Sequence, residues 1–219
     1  MWSLVKLVGV SKYYPQRALP VLKALDFAIQ ENASYAITGP SGAGKTTLLS
    51  IIGLLDKPSC GHYFVQEKDV TLLSSKEIAH LRNALFGFVF QSHLLVPHYT
   101  SLQNCALPLY YRGLSKQAAH HQAASWLKAM NLSGLENRYP QQLSGGQQQR
   151  LAIARSLIGQ PKIILADEPT SALDNQTKRQ ILDLLFNLQK EHHFSLVLVT
   201  HDEEVASRCS HVFQLSECV

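Results

Sequence analysis

The sequence predicts an α/β fold, a parallel sheet around a phosphate-binding loop with a helical subdomain inserted into it. Three observations carry this. Segments of strand and helix character alternate on both sides of a stretch, about Ser92 to Leu143, that holds helical segments and no convincing strand. Two apolar runs, KIILA and SLVLV, lack the alternation of half-exposed strands, as expected when both faces of a sheet are covered. Finally, GPSGAGKTT, Gly39 to Thr47, lies between a strand and a helix and matches the pattern G-x-x-x-x-G-K-[ST].

In chain order, SLVKLVGV reads as a strand, and so does VLKALDFAI with its apolar residues on alternating positions. SYAIT is a short buried strand ending at Gly39. TTLLSIIGLL is an apolar helix that stops before Pro58. GHYFVQ is a strand, SSKEIAHLRNAL a helix, and GFVFQ a strand that runs out at Gln91. LQNCALPLYYRG and KQAAHHQAASWLKAMNL are the helices of the insert. The alternation then resumes with helix GQQQRLAIARSLI, strand KIILAD, helix NQTKRQILDLLFNLQKEH, strand SLVLVT, a short helix and HVFQL.

With 219 residues, 46% hydrophobic and 16% charged, the chain can bury a real core. The formal charge of +4 includes no block of consecutive Lys or Arg, so an extended nucleic-acid footprint is not indicated. No apolar run approaches the ~18–20 residues of a membrane span. The first residues also lack the charged and apolar regions of a secretory leader. A cytosolic chain is expected, with a membrane partner left open. Cys60, Cys105, Cys209 and Cys218 form no C-x-x-C pair, which fits a reducing compartment. The pairs His120–His121 and His192–His193 are adjacent, and neighbours on a helix point in different directions, which favours solvated surface over metal binding.

The chemistry concentrates on phosphate. In Gly39, Pro40, Ser41, Gly42, Ala43, Gly44, Lys45, Thr46 and Thr47 the glycines let backbone N–H groups wrap the β- and γ-phosphates at a helix N-terminus. Lys45 is expected to reach those phosphates and the Thr46 hydroxyl to ligate Mg²⁺. IILADE delivers Asp167 and Glu168 to a strand's carboxyl end, Asp167 for the Mg²⁺ shell and Glu168 to orient and polarise water. His201 closes SLVLVT as a γ-phosphate contact. Gln91 closes GFVFQ, where an amide could touch Mg²⁺ or the water and report the nucleotide state to the insert. LSGGQQQR, Leu143 to Arg150, then offers bare N–H groups and a serine hydroxyl at a second helix start. The phosphate loop already serves the chain's own nucleotide, so this second start is best used on one held by another copy.

These motifs resemble the ATP-binding-cassette (ABC) ATPases over essentially the whole chain. GPSGAGKTT is similar to Walker A, the FQ at Gln91 to the Q-loop, LSGGQQQR to the signature and IILADE to Walker B. SALD (Ser171–Asp174) is similar to the D-loop and His201 to the switch histidine. The resemblance implies a P-loop NTPase, RecA-like core with an N-terminal antiparallel β-subdomain and an inserted α-helical subdomain. One domain, 1–219, is expected: 1–91 and 155–219 form the core with its β-subdomain, and 92–154 the helical subdomain. The resemblance implies ATP and Mg²⁺ as cofactors, with Thr46, Gln91 and Asp167 toward the metal. It also implies two cassettes sandwiching two ATP molecules. Ser144, Gly145, Gly146 and Gln147 then meet the γ-phosphate held by the opposite subunit, and Asp174 joins the nucleotide site. An upstream aromatic stacks on adenine, a role that Tyr14 fits better than Tyr13.

SKYY…VLKALDFAI, LRNALFGFVFQSHLLVPHYTSLQNCALPLYYRG and ILADEPT are similar to the branch of lipoprotein-release, macrolide/peptide-export and cell-division ATPases. That branch drives permeases that transmit ATP-powered motion across the membrane. Two positions depart from it: Ser171-Ala172 stand where Gly-Asn is usual, and Gln103-Asn104 where Glu-Asn is usual. The resemblance implies an ATP-hydrolysing subunit that dimerises on ATP, in the simpler case with a copy of itself. It would sit at the cytoplasmic face of a bacterial inner membrane and dock a permease near Gln91–Leu114, with no direct nucleic-acid contact. LLVPHYTSLQNCALPLYY can serve as subdomain core, as a groove for a permease helix, or as both. Two alternatives stay open: an importer subunit, favoured by SALD, and a non-transport ABC ATPase acting on DNA or ribosomes. A regulatory module without hydrolysis conflicts with Glu168 and His201. No residue need encode the cargo.

Overall fold

The computed structural model describes residues 3–15 and 19–216. In chain order the elements are β1 (Ser3–Lys12), β2 (Leu22–Gln30), β3 (Ser34–Thr38), α1 (Lys45–Ile52), β4 (Cys60–Val65), β5 (Lys68–Asp69) and α2 (Ser75–Leu85). They continue with β6 (Phe86–Phe90), α3 (Ser101–Tyr111), α4 (Lys116–Ala129), a 3₁₀ turn (Pro140–Gln142), α5 (Gly145–Leu157) and β7 (Ile163–Asp167). α6 (Asn175–His192), β8 (Ser195–Val199), α7 (Glu203–Ser207) and β9 (His211–Gln214) complete the chain. Packing divides it into two compact units, Met1–Arg82 with His193–Val219, and Asn83–His192.

The first unit holds an antiparallel sheet in the order β2-β1-β4-β5. Its register pairs Leu7 with Phe27 on one side and with Tyr63 on the other. The predicted alternation of β2 is present from Leu25 through Phe27 to Ile29, all buried; before it, the left-handed Ala24 (φ 44°) shifts the register by one, so that Leu22 is buried too. A Cβ on Gly61 would lie 2.5 Å from the Gly9 carbonyl oxygen, so only glycine allows β4 to cross β1 this closely. The same unit holds parallel pairing of β3 with β8 on one side and β9 on the other. β3 and β8 are buried almost throughout, which explains their unbroken apolar sequence. α1 buries Leu48, Leu49, Ile51 and Ile52, each stabilising the fold by roughly 1.5–3 kcal/mol.

Two expectations need correction here. The apolar helix ends at Ile52 rather than at Leu55: Gly53 caps it and Leu54 turns left-handed (φ 57°). The Arg82 guanidinium then takes the Leu54 carbonyl, at 2.8 Å. β5 is absent from the sequence reading, because two residues are too few to display a period.

The second unit carries the parallel pair β6–β7, with Phe90 opposite Asp167, and helices α3 to α6. α3 packs against both α4 and α5; it buries Cys105, Ala106 and Leu109, and α4 buries Ala119, Ala123 and Leu127, spaced as one helix face requires. A Cβ on Gly87 would lie 2.3 Å from the Ser156 carbonyl oxygen, so glycine lets α5 rest directly on β6. Thr100 and Gln103 form a capping box at the start of α3. Gln103, a departure from the branch pattern, is thereby accounted for, since Gln serves this box as Glu does. The elements are those of the expected ABC ATPase fold: an antiparallel β-subdomain, parallel core strands and a helical insert. No helix among the described residues is long and apolar enough to cross a membrane. Cys60, Cys105 and Cys209 are free thiols, and Cys218 lies outside the described residues.

Candidate nucleotide site

In the first unit the phosphate loop leaves β3 at Thr38, whose carbonyl accepts from the Leu215 N–H at 2.8 Å. Gly39 has φ 141°, and a Cβ on it would lie 2.3 Å from the Leu215 carbonyl oxygen, so no other residue fits. Gly44 takes the N-cap of α1 in a left-handed conformation (φ 94°) with no side-chain cap, and a Cβ there would meet Val21 at 2.8 Å. The first N–H groups of an α-helix have no acceptor within that helix, which makes its start a place for an anion. Lys45 folds back over the loop, its Nζ donating to Gly39 O at 2.8 Å and Pro40 O at 2.7 Å. Thr46 is exposed and Thr47 half-buried.

His201 follows β8, next in the sheet to the strand that feeds the loop. It is exposed, between Thr200, whose N–H donates to Ile37 O, and Asp202, which caps α7. The Thr200 hydroxyl accepts the Asp202 N–H at 3.0 Å. Two anchors thus set the backbone on either side of the imidazole.

The two tyrosines differ. The Tyr14 hydroxyl donates to Asp56 at 2.8 Å, and Lys12 lies 5.0 Å from the centre of its ring. Tyr13 is half exposed at 51%.

In the second unit Gln91 follows Phe90, which pairs with Asp167, so the amide and the carboxylate leave neighbouring strands. Glu168 is left-handed (φ 44°), a conformation costing on the order of 1–2 kcal/mol away from glycine. Its carbonyl accepts the Ser171 hydroxyl at 3.1 Å and the Ser171 N–H at 3.3 Å. Ser171, the other departure from the branch pattern, therefore braces the strained residue. Asp174 caps α6 through the Gln176 and Thr177 N–H groups. Its carboxyl is held below the usual range, first by the Thr177 side chain and then by the Thr177 N–H.

Ser144 caps α5 in a reciprocal box. Its hydroxyl accepts the Gln147 N–H at 3.3 Å and the Gln147 side chain accepts the Ser144 N–H at 2.9 Å. Gly145 and Gly146 occupy the first helical positions, where N–H groups lack helical acceptors. A Cβ on Gly146 would fall 2.8 Å from Thr177 Cγ2, and one on Gly145 3.5 Å from Leu173. The signature and the D-loop region are thus brought together within this unit.

Sequence reasoning missed Arg155 and Asn104. Arg155 donates to Leu94 O and His93 O, both at 2.6 Å, and burial followed by its charge lowers the His93 pKa. Asn104, fully buried, bonds Val96 and Tyr99. The signals were faint: an arginine inside LAIARSLI, and an asparagine in a mainly apolar helix.

No three His, Cys, Asp or Glu side chains among the described residues converge on a metal. The expected Mg²⁺ donors, Thr46 hydroxyl, Gln91 amide and Asp167 carboxylate, are all hard oxygens. One carboxylate suits an ion that takes most of its ligands from phosphate and water.

A phosphate loop, a signature helix and a strand-end acid on this fold define an ABC-type ATPase. The ABC transporter family model matches residues 22–171, and the chain belongs to that family. It is 41% identical over 203 residues to the lipoprotein-releasing system ATP-binding protein LolD of Bacteroides thetaiotaomicron, across 93% of this chain and 92% of that one. It is 42% identical over 205 residues to the macrolide export ATP-binding/permease protein MacB of Marinobacter nauticus, across 93% of this chain but only 32% of that longer protein. Among solved structures, the dimeric post-hydrolysis state of the ATP-binding cassette MJ0796 bound to ADP and Pi aligns with a TM-score of 0.89. The identity there is 40%, over 98% of this chain and 97% of that one. The chain is thus an ATP-binding, ATP-hydrolysing cassette of the export-type branch.

Proposed function

We propose that the chain dimerises on ATP and drives a membrane permease for export, or for lipoprotein or peptide release, by transmitted motion. The observation that carries this is identity near 40% along almost the whole chain to a lipoprotein-releasing ATP-binding protein and to the cassette of a macrolide exporter. Residues 39–47 bind the phosphates, Lys45 exchanging the Gly39 and Pro40 carbonyls for phosphate oxygens. Glu168 polarises the attacking water and His201 holds the γ-phosphate. Gln91 senses both and passes the state to the helical lobe, 92–154, the remainder (1–91 and 155–219) being the nucleotide-binding core. Ser144, Gly145, Gly146 and Gln147, with Asp174, complete the site of a second copy. Closure therefore precedes hydrolysis and gates it. Mg²⁺, when bound, neutralises phosphate charge, with Thr46, Gln91 and Asp167 as its protein ligands. The adenine platform is Tyr14. Tyr13 is the second reading, since its ring is exposed while the Tyr14 hydroxyl is engaged by Asp56. The permease docks near Gln91–Leu114, which places the subunit on the cytoplasmic face of the membrane.

The test is affinity capture with the Glu168→Gln protein, ATP-trapped, from detergent-solubilised native membranes. Recovery of a permease with a large extracytoplasmic domain supports the proposal. A permease working with a separate soluble binding protein would mean import, and recovery of ribosomes or DNA-associated proteins alone would overturn the transport role. Robust ATP turnover by the Glu168→Gln protein would remove Glu168 from its assigned part.

A further inference from the structure

The segment after Gln91 is held in a conformation it would not choose for itself. His93 (φ 59°) and Leu94 (φ 46°) are consecutive left-handed residues, and neither is glycine. The other such pair among the described residues, Gln66–Glu67, sits in the tight turn between β4 and β5; His93–Leu94 has no strand pairing around it, and side chains from two helices hold it instead. The local bonds are short-range turns, His93 N–H to Phe90 O and Leu94 N–H to Ser92 O. Two side chains from helices add to these. Asn104 ties down the far end, at Val96 and Tyr99, from inside α3. Arg155 ties down the strained residues themselves, from α5, one guanidinium nitrogen on each carbonyl at 2.6 Å. A planar fork spanning two successive carbonyls fixes orientation as well as distance.

α5 is also the helix whose first turn is Ser144–Gln147, and helices move as stiff bodies. We propose that Arg155 is a positioning residue that locks the loop after Gln91 to the signature helix, so that Gln91 and Ser144–Gly146 shift as one piece. This rests on the proposed roles of Gln91 and the signature. It adds that the link between them is a side-chain fork one can remove, and not the backbone alone.

The experiment is a double-mutant cycle in the full-length Glu168→Gln protein, using Gln91→Ala and Arg155→Met. ATP-dependent dimerisation is read by analytical ultracentrifugation, and monomer affinity by titration with a fluorescent ADP analogue. Arg155→Met is expected to leave ADP affinity within about twofold while weakening dimerisation at least about tenfold. The double variant should be no worse than the poorer single one, as for two residues acting through one link. Arg155→Lys, which keeps the charge and loses the fork, should lie between, and it carries the cycle if the Met variant does not fold. Additive losses, or a folded Arg155 variant that dimerises like its parent, would overturn the inference. Failure of the Glu168→Gln parent itself to dimerise on ATP would instead count against the proposed function.

Discussion

α1 and α5 both have glycine in or beside their first turn, and those turns are built in opposite ways. α1 opens at Gly44, left-handed and without a side-chain cap, with the Lys45 ammonium donating to the Gly39 and Pro40 carbonyls of its own loop. α5 opens at Ser144 inside a complete capping box. The first start carries no side-chain cap, and its cation rests on neutral carbonyl oxygens that a phosphate can replace. The second is finished as a helix before any ligand arrives, and what it presents is two glycine N–H groups on a preformed end. A loop that must wrap a nucleotide gains from being incomplete. A surface that must recognise a nucleotide already held elsewhere gains from being rigid.

The largest test of this difference is Lys45→Ala. It removes the one cation of the loop and should weaken ATP binding at least about a hundredfold, the size of about two charge-assisted hydrogen bonds, in titration with a fluorescent nucleotide. Affinity kept near the parent value would break the comparison at its first limb. Next comes Gly146→Ala, whose methyl would press on Thr177 Cγ2. ATP binding by the monomer should be unchanged, while ATP-dependent dimerisation falls about tenfold or more, as a displaced helix start implies. Gly145→Ala, in ordinary contact with Leu173, should do less to the helix position. Pairing Gly146→Ala with Thr177→Ala separates the two causes: recovery assigns the loss to packing, and no recovery assigns it to phosphate approach.

Ser144→Ala opens the box and should cost about 1 kcal/mol without nucleotide, seen as a melting point lower by about 2–4 °C. An unchanged melting point would mean that α5 does not rely on its cap. The smallest effect lies away from both helix starts, at Asp56, whose N–H bonds the Ser50 carbonyl near the end of α1. Burial raises its pKa, but hydrogen bonds from Lys12, Tyr14 and the Lys57 N–H, together with the Lys12 charge, outweigh it and leave the carboxyl below the usual range. Its folded pKa being the lower one, the stabilisation is present above the unfolded pKa and is lost as pH falls through the folded value. Asp56→Asn should therefore cost at most about 1 kcal/mol near neutral pH, after solvent screening. The difference from the parent should vanish in acid melts, and a gap that persists there would assign the loss to packing.

How much was legible follows from how local each feature is. The phosphate loop, the capped signature and the strand-end residues Gln91, Asp167 and His201 are each defined within a few residues, and each stands at the predicted element end. Short apolar strands such as SLVLV were legible because burial on both faces leaves no room for alternation. The end of α1 was misplaced because Leu54 and Leu55 continue the apolar pattern after the backbone has turned. Ser171 was noted only as a departure, and its role depends on Glu168 being left-handed, which composition does not reveal.

The sequence by itself determined the element order, the phosphate loop, the signature helix and the family, since these are written in glycine spacing, caps and apolar runs a few residues long. Tertiary structure alone decided which of two tyrosines is engaged, why Gly87 and Gly146 must be glycine, and that a cation in an apolar helix grips a loop some sixty residues earlier. Those depend on which surfaces meet across long stretches of chain, and a contact of that kind leaves no local period to read.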